Sequence, residues 1–195
     1  MSLLAERRLV ENRRMRRERR RRRRALAAQD HLSARLAELF RIDALLTEAS
    51  QVVERGWTQH AWYRYVEPSG ASVSVTVCTP RVARRMSENG VAAACLVGAI
   101  VHAGGGPTQA RGQLVQRTLD LTWHASFRGL DEPVRLSPSS FERLGRAIDL
   151  VRWNDRPERT VDDVTALLSR ARGVTQAEVQ RTKAEQRDLA PLLDA

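Results

Sequence analysis

The side chains of this chain that could do chemistry fall into three groups, and one is dense enough to set a function class. It is the arginine cluster near the start: Arg13, Arg14, Arg16, Arg17, Arg19, Arg20, Arg21, Arg22, Arg23 and Arg24. Guanidinium groups are permanently charged forks that match phosphate oxygens, so such a run points to a polyanion and first of all to a nucleic-acid backbone. The second group is Cys95 and His102, with Cys78, His60 and His124 elsewhere. Seven residues along a helix put Cys95 and His102 on one face but about 10.5 Å apart, too far for a nucleophile and its base to touch. No pair among these residues has the short ligand spacing of a zinc site, so no catalytic residue, metal or cofactor is expected. The third group is Trp153, Asn154, Asp155 and Arg159, an indole and several polar groups concentrated in one connection. Such a cluster suits a ligand. It suits helix capping and a braced turn better, because Asn and Asp bond readily to nearby backbone. Gly104-Gly105-Gly106-Pro107-Thr108 lacks the Lys-Ser/Thr ending of a phosphate loop and follows a helix, so it reads as a helix stop and restart.

Charge placement sharpens the first reading. Of a formal net charge of +10 over 195 residues, +9 lies in residues 1–24, which hold 12 Arg and 3 Glu. The remainder is electrically ordinary. Lys183 is the one lysine among 33 basic residues, a bias that base composition of a genome produces as readily as selection does, so the clustering carries more weight than the identity. From residue 16 to 24 every side chain is charged, and no face of that segment offers an apolar stripe. A segment of this kind is expected to fray when free and to become more helical against an anion. A solvated tail is the bland alternative. If helical, 24 residues span about 36 Å, close to one turn of duplex DNA. Charge on all sides suits backbone contact and offers little basis for reading bases. Arginine-rich segments also fold on RNA. With no aromatic anchor and no apolar residue between Met15 and Ala25, the arm does not suit a membrane surface.

The elements that must hold these groups can be read from periodicity. The center of the domain is residues 89–110, which contain no Asp, Glu, Lys or Arg although 29% of the chain is charged. Their apolar part, residues 91–103, is shorter than the roughly 20 residues a bilayer needs, and it reads as a buried central helix. Before it, Leu45, Leu46, Ala49, Val52 and Val53 mark a core helix over 43–55 that Gly56 stops, with 26–40 a connecting helix. Val73, Val75 and Val77 alternate with polar residues as in a half-buried strand, and Glu67-Pro68-Ser69-Gly70 has type I turn chemistry, so a β-hairpin is expected. A further helix is expected over 108–125, and 128–138 reads as irregular, punctuated by Gly129, Pro133 and Pro138. Ser139 with Glu142, and Thr160 with Asp163, have capping-box spacing. Phe141, Leu144, Ile148 and Val151 are the inward face expected of the first helix so capped, and Val164, Leu167, Leu168 and Ala171 of the second, which Gly173 should end. Thr175 with Glu178 would open a last, peripheral helix.

Three landmarks in this order resemble a known family: Trp57-Thr58-Gln59, Cys95-Leu96-Val97-Gly98-Ala99, and Trp153-Asn154-Asp155 followed by Arg159-Thr160-Val161-Asp162-Asp163-Val164. The chain is similar over roughly residues 42–172 to an uncharacterised domain of unknown function of actinobacteria and their phages. The resemblance implies no established activity. The arginine arm, the C-terminal extension and a longer stretch between Gly106 and Pro138 depart from the family pattern.

The sequence therefore predicts a mainly helical α+β protein: an arginine-rich arm and connecting helix over 1–41, a globular core with one β-hairpin over 42–173, and a peripheral C-terminal helix over 174–195. The expected function is non-enzymatic association with the phosphate backbone of DNA or RNA, with low sequence specificity. The alternative is a structural or interaction protein, such as a phage or nucleoid assembly component, whose arm docks on an acidic protein; an enzyme ranks third. Two cysteines make no disulfide framework in a chain this size, and no export segment is read, so a cytoplasmic protein is expected, compatible with homo-oligomers and not bound to membrane.

Overall fold

No glycine or proline interrupts the chain between residues 3 and 55, and the structure, a computed structural model, forms a single helix there, α1 (Leu3–Arg55). It describes residues 3–76, 83–85, 88, 90–128, 132, 134 and 139–191. The expected break between a connecting helix and a first core helix is absent. The change of composition near residue 40 changes what the helix buries, and nothing in the backbone chemistry stops it before Gly56, whose N–H bonds back to the Val52 carbonyl.

Beyond Gly56 the chain enters a three-stranded antiparallel sheet. Strands β1 (Tyr63–Val66) and β2 (Ser72–Val75) pair with Tyr63 opposite Val75 and Val66 opposite Ser72. The turn between them closes as its chemistry requires, Gly70 N–H donating to the Glu67 carbonyl at 2.8 Å with Gly70 at φ +85°. Tyr63, Tyr65 and Val75 are buried, while Arg64 and Val66 face out. Val77, Cys78, Pro80 and Arg81 lie outside the described residues, as do Gly129, Pro133 and Pro138. The third strand, β3 (Ala93–Ala94), pairs on the other side of β1 with Tyr63 opposite Ala94.

That strand corrects the expectation of one helix from residue 91. The apolar run first satisfies the open edge of β1, then turns at Cys95 into α2 (Leu96–Ala103). Cys95 is the N-cap, and its Sγ accepts from the Gly98 N–H at 3.3 Å. A two-strand hairpin is marginal alone, and the extra strand together with α2 covers it. Gly98 is required where it stands: a Cβ there would collide with the Trp62 carbonyl. Helix α2 closes at Gly104, whose N–H bonds to the Ile100 carbonyl, and Gly105 and Gly106 follow at φ +103° and +86°.

Pro107–Gln109 make a 3-10 turn, so α3 (Gln113–Phe127) starts later than expected. Helix α4 (Ser140–Asn154) has the expected cap, Glu142 N–H donating to Ser139 Oγ at 3.1 Å and Ser139 Oγ–H to Glu142 Oε2 at 2.7 Å. Its inward face is not the expected one. Phe141, Leu144 and Ile148 are exposed, Phe141 by 84%, whereas Leu150, Trp153 and Asn154 are buried. The cause is on α3: buried Asp120 draws Arg146 (2.9 Å) and Arg143 (3.4 Å) inward, which rotates the opposite face of α4 into solvent.

The last helix, α5 (Val161–Leu189), runs through Gly173 without a stop. One glycine costs a helix only about 1 kcal/mol, and Ala171, Val174, Thr175 and Glu178 around it are all buried. Thr175 does not open a new helix, because its hydroxyl donates to the Ala171 carbonyl one turn back. The chain forms two compact units. Leu39–Glu178 carries the sheet, α2, α3, α4 and the adjoining parts of α1 and α5; the other combines Met1–Glu38 with Val179–Ala195.

Candidate functional site

The arginine cluster lies on α1. Every residue from 16 to 24 is exposed, and among the described residues none of them forms an ion pair with another side chain. Arg16, Arg17 and Arg19 through Arg24 therefore present eight guanidinium groups over nine residues, about 13.5 Å of helix. The side chains of Arg13 and Arg14 lie outside the described residues. Nearby in the same unit, α1 is tied to α5 by Gln186 Nε2 donating to Ser33 Oγ at 3.1 Å and by Arg35 with Glu185 at 3.8 Å. Ala25 and Leu32 are the buried positions between arm and pairing.

The polar group at the end of α4 is built differently. Asn154 has no exposed surface and its amide is fully used. Its Oδ1 accepts from the Trp57 indole Nε1–H at 2.9 Å and from the Leu96 N–H at 3.0 Å, while Nδ2 donates to the Thr58 carbonyl at 3.2 Å and to Asp155 Oδ1 at 2.9 Å. Gln59 Nε2 closes the ring on the Asn154 and Arg156 carbonyls, at 3.0 and 2.7 Å. Asp155 also takes the His60 N–H at 2.9 Å, which holds that residue at φ +59°, a conformation side chains other than glycine rarely adopt. Trp153 is buried, with the Arg159 guanidinium 4.3 Å above its ring. Thr160 and Asp163 form a reciprocal cap, and those bonds from Thr160 hold the Asp163 carboxyl below the ordinary range.

This constellation is a clasp. The three sequence landmarks meet in it: Trp57-Thr58-Gln59 enters the sheet, Leu96 N–H is the first donor of α2 past its Cys95 cap, and Trp153-Asn154-Asp155 ends α4. One amide side chain thus fixes strand entry, central helix and α4 together. With both donors and both acceptor positions of Asn154 engaged, the amide has no group left to offer a ligand.

Cys95 and His102 are not brought together as a catalytic pair. The thiol is buried and committed to the cap; burial pushes it up to about 11, with the Gly98 bond opposing and the Asp155 charge adding to the rise. A thiol held there is almost wholly protonated at neutral pH and a poor nucleophile. His102 is half-buried with its ring 6.5 Å, edge-on, from Tyr63, and burial, then Arg55, lowers it from 6.5. Among the described residues no three His, Cys, Asp or Glu side chains are grouped to hold a metal ion.

Sequence spacing gave no sign of the layer between α3 and α4. Asp120 is buried against Arg143 and Arg146, and burial raises its carboxyl although both arginines oppose the rise. Arg146 also lies 4.7 Å over the Trp123 ring, whose Nε1–H donates to Asp149 Oδ2 at 3.0 Å. Arg143 and Arg146 stand at i, i+3, but α4 also carries Glu142, Asp149 and Arg152, so the spacing alone does not single them out.

The fold and the clasp define a mainly helical α+β domain held by a buried asparagine, with an arginine-rich helix outside the clasped part. Within that class the chain belongs to the family of unknown function DUF6197, which matches residues 37–174. No curated protein and no solved structure matches the chain. The matched range contains the clasp and excludes residues 16–24.

Proposed function

We propose that the protein associates non-enzymatically with the phosphate backbone of nucleic acid through Arg16, Arg17 and Arg19 through Arg24. The observation that carries this reading is the exposure of all eight guanidinium groups on one helix, without ion pairs to described side chains. Eight fixed positive charges within about 13.5 Å repel one another, and a polyanion relieves that repulsion while releasing its own counterions. Contacts of this kind go to phosphate and sugar and give little sequence discrimination. No helix among the described residues is long and apolar enough to cross a membrane.

The test is purification of the full chain from cells with and without nuclease. The reading expects nucleic acid to co-purify, to disappear after nuclease treatment, and to be absent from a variant with Arg19 through Arg24 replaced by glutamine. An acidic protein that stays bound after nuclease treatment and is lost from the variant would replace this reading with protein docking.

A further inference from the structure

We infer that the arm is built to enter the major groove of B-form duplex DNA, an inference that rests on the proposed nucleic-acid association and narrows it to one substrate class. The argument comes from where the charges point around α1. At about 100° per residue, and with Arg16 taken as zero, the eight arginines of residues 16–24 spread over an arc of about 260°. They leave one open sector of about 100°, between Arg21 and Arg22, and Glu18, the single acid of the run, falls inside it.

The open sector coincides with the packed side of the same helix. On the same scale Ala25 and Leu32, both buried, fall at about 180° and 160°. Arg35 and Ser33, which contact α5, flank them at about 100° and 260°. The side that α1 gives to α5 thus continues through Glu18, with Arg21 and Arg22 at its edges, and the other six arginines take the rest of the circumference. Three of them, Arg16, Arg20 and Arg23, lie near the middle of the arc; Arg17, Arg21 and Arg24 lie on one flank, Arg19 and Arg22 on the other.

A flat polyanionic surface could meet only the middle group. Phosphates standing on both sides of the helix would meet the flanks as well, and that is the geometry of a groove. A helix with its side chains is about 10–12 Å across and the B-DNA major groove is about 12 Å wide, whereas the A-form RNA major groove is deep and too narrow to be read by side chains.

The experiment is equilibrium binding of the full chain, across a salt series, to a mixed-sequence DNA duplex, to one of its strands and to the corresponding RNA duplex, with dimethyl sulfate footprinting of the DNA. The inference expects tenfold or tighter binding to duplex DNA and protection of guanine N7, which lies in the major groove. It expects Arg17→Gln with Arg24→Gln, and separately Arg19→Gln with Arg22→Gln, each to reduce the log–log salt slope by about 1.8. Equal or tighter binding to the single strand or the RNA duplex, unprotected N7, or flank variants with an unchanged slope would overturn groove entry while leaving backbone association standing. No binding to any of the three would overturn both.

Discussion

Replacing Asn154 should cost the domain a large part of its stability, and the cost can be worked from its bonds. Asn154→Leu keeps the branching and the number of side-chain heavy atoms but deletes all four side-chain hydrogen bonds. Leu96 N–H and the Thr58 carbonyl belong to buried residues and would be left without partners; Trp57 is only half-buried and Asp155 is near the surface, so water can replace those two bonds. A stranded buried donor or acceptor costs about 1–3 kcal/mol, so two cost about 2–6 kcal/mol. Against a total of about 5–15 kcal/mol for a typical domain, that is a large fraction. Asn154→Asp is the isosteric control: it keeps the two acceptor contacts but turns a carboxylate toward the Thr58 carbonyl and Asp155, and should fall in the same range. Urea unfolding of the full chain, followed by tryptophan fluorescence, gives the change in free energy. A loss below about 0.5 kcal/mol for both variants, the range of ordinary surface substitutions, would refute the clasp as the point where strand entry, α2 and α4 are held together.

Three further outcomes follow from particular contacts. In a Cys78→Ser background, Cys95 should react with a disulfide reagent at pH 8 many-fold more slowly folded than in urea, because its thiol is buried and held near 11; equal rates would contradict the capped position. His102 is lowered in the folded state, so the unfolded chain takes up the proton first as pH falls below 6.5, and the urea midpoint should drop on going from pH 7 to 5 more steeply in the parent than in His102→Gln; parallel profiles would count against it. Gly98→Ala should destabilise by about 1–3 kcal/mol, since the added methyl meets the Trp62 carbonyl, and a neutral result in the same urea assay would show that α2 can move off the sheet.

Much of the fold was legible because the responsible signals are local. The Pro68–Gly70 turn, the Ser139–Glu142 and Thr160–Asp163 caps, and the Gly56 stop act through bonds within a few residues, and they read the same in sequence and structure. The errors arise where a distant partner decides. Ala93 and Ala94 pair with β1 because that strand has an open edge, which an apolar run cannot reveal. Gly173 carries a stop signal that the packing of Ala171, Val174 and Glu178 overrides. The stripe Phe141, Leu144 and Ile148 has helical period, yet the arginines between its members face inward because Asp120 on another helix is buried. For the candidate sites, the exposure of residues 16–24 follows from composition. The clasp could be located but not read, because Trp57, Leu96 and Asn154 are brought together only by the tertiary fold.

Fluorescence titration of a labelled DNA duplex by the full chain over a range of salt concentrations tests the proposed function most directly. Six to eight phosphate contacts by the arm predict a log–log slope of about −5 to −7, largely lost when Arg19 through Arg24 are replaced by glutamine. Failure of the full chain to bind at low salt, or an arm variant with unchanged affinity and slope, would contradict it.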